Sequence, residues 1–339
     1  MFDFLSKSKS IVGIDIGTSD IKLVQVTHDK QITLDTYGIV NLPYDLGAKF
    51  TEQSIIQTAG ILKELTLKAR ITAKKCVISL PNSTVFTSVI EMPKLSESEL
   101  SSAMEFEAKK YVPLPTSEIN LSWTVVSESQ VTGNYQILLT AVPKQVQANY
   151  LKLFSLANLD LRVVEIESLA LIRAIVDSST SNCVIIDMGA KTTSISFVSK
   201  GLLQLTRNIG IGGETITNRI AQALNISVPR AEQFKRDFGV SQATFIPEAI
   251  KPVLGSIKNQ VKQLIALYKN NNIEIDTVLL VGGGANIPGL AEYMADLAPH
   301  VSFANPLQKV TVRPDLSALL ENYKYHLAIA IGLALNPEG

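Results

Sequence analysis

The stretch IVGIDIGTSDIKLVQ, Ile11 to Gln25, decides how the chain is read. Val12, Ile14 and Ile16 alternate along one apolar run, Ile21, Leu23 and Val24 form a second, and the polar turn Asp-Ile-Gly-Thr-Ser-Asp lies between them. Two apolar runs around a short Gly-bearing turn predict a β-hairpin with Asp15 near the tip of its first strand. The design returns about half a chain later as CVIIDMGAKTTSISFV, Cys183 to Val198, where Val184, Ile186, Asp187 and Gly189 take the places of Val12, Ile14, Asp15 and Gly17. A lone Asp-x-Gly turn is most simply a carboxylate capping its own backbone. Two copies in register predict a duplicated fold whose halves bring both turns to one cleft. Each turn offers backbone N–H groups suited to phosphate oxygens, and each Gly lets the backbone approach closely. A cation between the two carboxylates could neutralise the phosphate charge.

The 339 residues suffice for two domains. With 46% hydrophobic residues the chain can bury a sizeable core, and 31 basic residues balance 31 acidic ones, so no bias towards nucleic acid shows. Cys76 and Cys183 sit in apolar, strand-like runs and read as reduced core thiols rather than a disulfide. His28, His300 and His326 are scattered, form no metal-ligand cluster, and read as ordinary surface or core histidines. No secretory signal precedes Asp15, and the apolar run Leu327 to Leu335 is far shorter than the roughly 20 residues of a spanning helix, so a cytoplasmic location is expected. Met1 to Leu5, with Phe2 and Phe4, reads as a frayed terminus.

After the first hairpin, Gln31 to Val40 predicts a third strand. Glu52 to Lys68 predicts a helix packed through Ile55, Ile56, Ala59, Leu62 and Leu65, and Lys75 to Leu80 a buried strand stopped by Pro81-Asn82. The next segment reads as a strand (Val85 to Glu91), a helix (from the Ser96-x-x-Glu99 capping box to Tyr111) and two strands (Ile119 to Ser127, Tyr135 to Val142). A helix after Pro143 and a strand from Asp160 to Ile166 follow. That βαββαβ order predicts a ferredoxin-like subdomain over residues 84–165, inserted into the first half. Beyond the crossing helix, Ser168 to Val176, and the second hairpin, Ile209 to Thr215 predicts a Gly-rich turn into a helix. Its amides, around Gly212 and Gly213, can hold phosphate oxygens. Pro229 opens a helix on which Glu232 and Lys235 share a face, which alone reads as an exposed ion pair. A long helix covers about 247–269, and VLLVGGGANIPGL, Val278 to Leu290, reads as a buried strand, a Gly run and a helix. Leu319, Tyr323, His326, Leu327, Ala330 and Ile331 predict one last helix. Residues 1–83 and 166–180 are expected to form a first domain and 181–339 a second.

Together these pieces resemble the actin, Hsp70 and sugar kinase superfamily. The two hairpins match its phosphate loops, Gly282-Gly283-Gly284 its adenosine motif, and Glu232, Lys235 and Arg236 its Glu-x-x-Lys-Arg helix. Ser79-Leu80-Pro81, Glu91-Met92-Pro93-Lys94-Leu95 and the insert extend the resemblance end to end, to the PilM family of actin-like type IV pilus assembly proteins. FtsA, a relative of that family, carries a similar insert, called 1C. The resemblance implies an α/β, actin-like (ribonuclease H-like) duplicated fold with an inserted ferredoxin-like 1C subdomain. It also implies ATP or ADP with Mg2+ in the cleft. Asp15 and Asp187 would act on Mg2+ through water. Gly17, Thr18, Ser19 and Lys22 of the first hairpin and Gly189, Ala190, Thr192 and Thr193 of the second would face the phosphates. Gly212 and Gly213 would lie beside the nucleotide, and Glu232, Lys235 and Arg236 would contact ribose and adenine laid against Gly282, Gly283 and Gly284. Lys22 by itself reads equally as a solvent-facing lysine, because the return strand alternates.

The family's partner is the short N-terminal cytoplasmic peptide of PilN, an inner-membrane protein paired with PilO, docking in a groove between subdomains 1A and 1C. The resemblance therefore implies an adaptor held at the inner membrane through its partner and open to self-association. Hydrolysis needs a residue that orients water at the γ-phosphate. Glu167 stands at the right place in sequence order, Glu165 competes with it, and weak or no turnover is expected. Two other functions fit the superfamily. An FtsA-like cell-division filament protein is disfavoured because the sequence stops at Asn336-Pro337-Glu338-Gly339 without a linker and amphipathic helix. A sugar or acid kinase is disfavoured by the insert and by the want of a general-base Asp motif.

Overall fold

The structure, a computed structural model, describes residues 9–44, 50–128, 132–177, 180, 182–241 and 246–339. The Met1–Leu5 segment lies outside the described residues. The first half begins with the antiparallel strands β1 (Lys9–Ile16), β2 (Asp20–His28) and β3 (Ile32–Asn41), followed by α1 (Glu52–Lys68) and β4 (Lys75–Leu80). Next come β5 (Phe86–Met92), α2 (Glu97–Tyr111), β6 (Ile119–Glu128), β7 (Tyr135–Pro143), α3 (Lys144–Leu156), β8 (Asp160–Ile166) and α4 (Glu167–Ile175). The second half repeats the plan with β9 (Asn182–Met188), β10 (Thr193–Ser199) and β11 (Leu202–Ile209), then α5 (Gly213–Leu224), α6 (Val228–Phe238) and α7 (Ile246–Lys269). It continues through β12 (Thr277–Val281), α8 (Leu290–Met294) and β13 (His300–Phe303), and the chain ends with β14 (Thr311–Val312), α9 (Pro314–Tyr323) and α10 (Ala328–Ala334). Among the described residues no helix is long and apolar enough to cross a membrane.

The duplication extends from the hairpins to the whole sheet. The first-half order β3-β2-β1-β4-β8 is matched by β11-β10-β9-β12-β13 in the second half. In each, three antiparallel strands are joined by two parallel ones. β1 and β9 supply Val12, Ile14, Val184 and Ile186, all buried, to two separate cores. Both cysteines are buried and free, and burial pushes the thiols up to about 12 for Cys76 and about 11 for Cys183.

Three expectations are corrected. The strand at 160–166 does not close the insert. β8 pairs in parallel with β4, Ile78 beside Val164 and Leu80 beside Ile166, as β13 pairs with β12. Parallel neighbours need a crossover, and α3 is that crossover, burying Tyr150, Leu153 and Phe154 in the first-half core. The insert is thus the three-stranded sheet β5-β7-β6 with α2, around a core of its own that includes Ile90, Leu100, Met104, Ile137 and Leu139.

The second correction concerns the tail, which does not stay in the second half. β14 pairs with β3, Thr311 beside Thr33, and α10 packs on β1 and α4. Third, the last helix is two helices, α9 and α10, separated by a turn at 324–327. Helical spacing runs through that turn unbroken, but α10 is drawn onto β1 by backbone contact at two glycines. A Cβ on Gly13 would collide with the Ala330 carbonyl, and one on Gly332 with the Ala170 carbonyl of α4. Gly332→Ala is therefore expected to lower stability by about 1–3 kcal/mol, read as an earlier midpoint in urea with an unchanged slope.

Candidate functional site

The two hairpin tips are built alike. Across β1 and β2, Ile16 faces Ile21 and Asp15 faces Lys22; across β9 and β10, Met188 faces Thr193 and Asp187 faces Ser194. In the first turn Gly17 N donates to Asp20 O at 2.9 Å, and in the second Gly189 N donates to Thr192 O at 2.9 Å. Both tips open on one cavity of about 300 Å³ between the halves. Its walls hold Asp15, Gly17, Thr18, Ser19 and Lys22 from one hairpin, and Asp187, Gly189, Ala190 and Thr192 from the other. Gly213, Glu232, Lys235, Arg236 and the run Gly282, Gly283, Gly284 line it as well.

Thr193 and Gly212 do not line it. Thr193 is fully buried and its hydroxyl donates to the Ile211 carbonyl at 2.7 Å. Side chains alternate along a strand, so it is the next residue, Ser194, that reaches the cleft. Gly212 caps α5 so close to the Ala190 carbonyl that a Cβ would collide with it. The amides at this helix start are also committed. Gly213 N donates to Gly189 O at 2.9 Å and Glu214 N to Ala190 O at 2.8 Å, so they brace the second hairpin instead of holding phosphate. The Gly run rides on the same hairpin. Gly282 has φ +92°, and a Cβ on Gly284 would stand 2.7 Å from Gly189 O.

Lys22 is buried and faces carboxylates, not solvent. Its Nζ lies 3.1 Å from Asp15 Oδ2 and 2.5 Å from Asp20 Oδ1. Burial alone would favour the neutral amine, but the charges of Asp15 and Asp20 outweigh it and hold the proton more tightly than usual. Burial alone would raise Asp20; the hydrogen bond from His326 Nε2, at 2.6 Å, and the Lys22 charge instead lower it to about 2. Asp187 has no such neighbour. Burial and the Asp15 charge push its carboxyl up to about 6, and among the described residues no hydrogen bond reaches it. Glu167, at the start of α4, accepts from Asn82 N at 2.9 Å and lines the cavity; burial and the charge of Asp15 raise it to about 8. Glu165 is held elsewhere, paired with Arg173 through two bonds of 2.6 and 2.7 Å. Asp187 and Glu167 each keep one face open to the cleft, while protein surrounds the rest of the side chain.

The Glu232–Lys235 pair is not an exposed one. Lys235 Nζ lies 2.6 Å from Glu232 Oε2, 2.9 Å from Thr217 Oγ1 and 3.3 Å from Gly213 O, and burial pushes the amine below its usual range. Arg236 reaches Glu232 Oε1 at 3.0 Å from the cleft rim. Asp20, Asn208, Tyr325 and His326 also line the cleft and escaped sequence reasoning. Asp20 has no counterpart carboxylate in the second hairpin, and His326 was hidden by a helical pattern that crosses a turn. Among the described residues no three His, Cys, Asp or Glu side chains are grouped to hold a metal ion by themselves.

Residues 13–338 match the family model described as "Type IV pilus assembly protein PilM". A solved structure described as "PilM-PilN type IV pilus biogenesis complex" superposes with a TM-score of 0.82 at 26% identity, over 96% of this chain and 97% of that one. MreB5 of Spiroplasma citri bound to AMPPNP shares the fold, with a TM-score of 0.52 and 11% identity over 96% and 95% of the two chains. The cell division protein FtsA of Streptococcus pneumoniae serotype 2 is 22% identical over 343 aligned residues, spanning 85% of this chain and 73% of its own.

Proposed function

Because the chain belongs to the family of type IV pilus assembly proteins PilM, we propose that it binds a Mg2+-nucleotide in the cleft between the hairpins and holds the N-terminal cytoplasmic segment of a PilN protein. The observation that carries this reading is the near end-to-end superposition on the PilM–PilN complex. The cleft fits the nucleotide in its own terms. Glycines at the two turns and in the run from Gly282 let the walls of the cleft pack where a Cβ would press on neighbouring atoms. Asp15, Asp20 and Asp187 cluster at the hairpin end of the cavity with Lys22 as their nearest cation, so a phosphate chain would enter there with a cation of its own. Mg2+, when bound, supplies that positive charge. Asp15 and Asp187 would orient its water shell from the two hairpins. Thr18, Ser19 and Thr192 offer donors to phosphate, and Glu232, Lys235 and Arg236 form the wall for the sugar and base.

The PilN segment is assigned to the groove between the first half and the insert, where an extended peptide can lie against sheet and helix. This places the protein at the inner membrane through its partner. The corrected topology sharpens the experiment. Removing 84–165 would take α3 and β8 out of the main sheet, whereas replacing 86–143 by a short linker removes only the insert. Fluorescence anisotropy with a labelled PilN N-terminal peptide should show binding to the full chain and at least about tenfold weaker binding to the shortened one, with Mg2+-ATP binding kept. Peptide binding that survives the deletion moves the groove elsewhere. No peptide binding to the full chain defeats the adaptor reading.

A further inference from the structure

We propose that His326 is a latch across the cleft: a positioning residue that ties the first hairpin to the Gly loop of the second half and slows release of the bound ligand. The proposal rests on the nucleotide reading above. The tail returns to the first half through β14 and α9, and the turn at 324–327 sets His326 at the mouth of the cavity. The ring has two distinct edges and uses both. Nε2 donates to Asp20 Oδ2 at 2.6 Å. The Nδ1–Cε1 edge lies against Gly283, where a Cβ would stand 2.8 Å from Nδ1 and 3.0 Å from Cε1.

Asp20 is in turn a hub of the first hairpin. Its other oxygen takes Lys22 at 2.5 Å, and its carbonyl closes the turn through Gly17 N at 2.9 Å. One imidazole therefore joins the carboxylate–lysine group of one half to the backbone of the glycine loop of the other. Dispersion contact of this kind fades within an ångström of separation, so the ring packs on Gly283 only while the halves are close. The side chain is 31% exposed, which leaves it free to swing out and let ligand pass.

The competing role is a mere anchor for the turn between α9 and α10, and kinetics separates the two. The probe is a fluorescent ATP analogue with Mg2+ at pH 7.5, mixed by stopped flow with the full chain. A lost hydrogen bond to a charged group predicts that His326→Ala raises the release rate about tenfold. Association should stay within about twofold, and the melting temperature of the ligand-free protein, in which the Asp20 bond is also made, should fall only by the few degrees that one such bond supports. His326→Gln, which can still donate to Asp20, should recover part of the slow release. Gly283→Ala, which pushes a methyl into the ring, should speed release as His326→Ala does. Unchanged release in His326→Ala overturns the latch, and so does faster release accompanied by a larger fall in melting temperature and no recovery in His326→Gln. If the wild-type chain binds no analogue at all, the nucleotide reading falls and takes the latch with it.

Discussion

Asp187→Asn is expected to weaken Mg2+-ATP binding about 10- to 100-fold, the usual effect of removing a group that orients a metal's ligands, while making the ligand-free protein more stable above pH 6. The two effects have one cause. Asp187 faces the cleft without a hydrogen bond among the described residues, and burial and the Asp15 charge, only partly offset by Lys22, raise its carboxyl from 3.8 to about 6. A raised carboxyl favours the folded state only while it is protonated. Its contribution is fully present below about pH 4 and is lost as pH rises through about 6. Asparagine resembles the protonated form and escapes that loss. The gain over wild type should be near zero at pH 4 and should level off above pH 7 at about 1–3 kcal/mol, discounted for the open face of the side chain. Urea unfolding from pH 4 to 8.5 reads the stability and calorimetric titration reads the affinity. An affinity within twofold of wild type would take Asp187 out of the site. A variant less stable than wild type at pH 8 would show that the carboxylate is compensated by something unseen.

Lys22→Met should act in the opposite direction on stability and more strongly. The lysine is enclosed by the carboxylates of Asp15 and Asp20, at 3.1 and 2.5 Å. Removing one partner of a buried ion pair leaves the other charged and dry, which typically costs about 3–5 kcal/mol. That loss should be seen at pH 8 and shrink as pH falls, because Asp20, relieved of the lysine that helps hold it low, takes up a proton more readily. Chemical denaturation at pH 8 and at lower pH provides the test. A loss of less than about 1 kcal/mol at pH 8 would mean that the pair is hydrated and behaves as a surface bridge. Asp15→Asn added to Lys22→Met should recover part of the loss, since it removes a charge that has lost its partner.

Much of the site could be read from the chain because it is local. The hairpin tips, the Gly run and the Glu232–Lys235 pair each lie within a few consecutive residues, where periodicity and turn chemistry speak directly. What escaped depends on pairing between distant segments. β8 has the apolar alternation of an insert strand as well as that of a main-sheet strand, and only its pairing with Val77, Ile78 and Leu80 assigns it. The hydroxyl that faces the cleft belongs to Ser194 and not to Thr193, because register across from Asp187 decides the parity. His326 sits at helical spacing from its neighbours, and the bend that frees it comes from the bare backbone of Gly13 meeting α10, a contact between opposite ends of the chain. The amides before α5 looked available because nothing nearby in sequence claims them; their acceptors lie in the hairpin preceding β10.

The positions opposite the two matched aspartates have parted company: a lysine in one copy, a serine in the other. Lysine in both would give each aspartate a counterion across its hairpin, and serine in both would take from Asp15 and Asp20 the cation they now share. With one of each, the first repeat carries its own counterion beside the matched aspartate, and the second carries a neutral hydroxyl at the matching position.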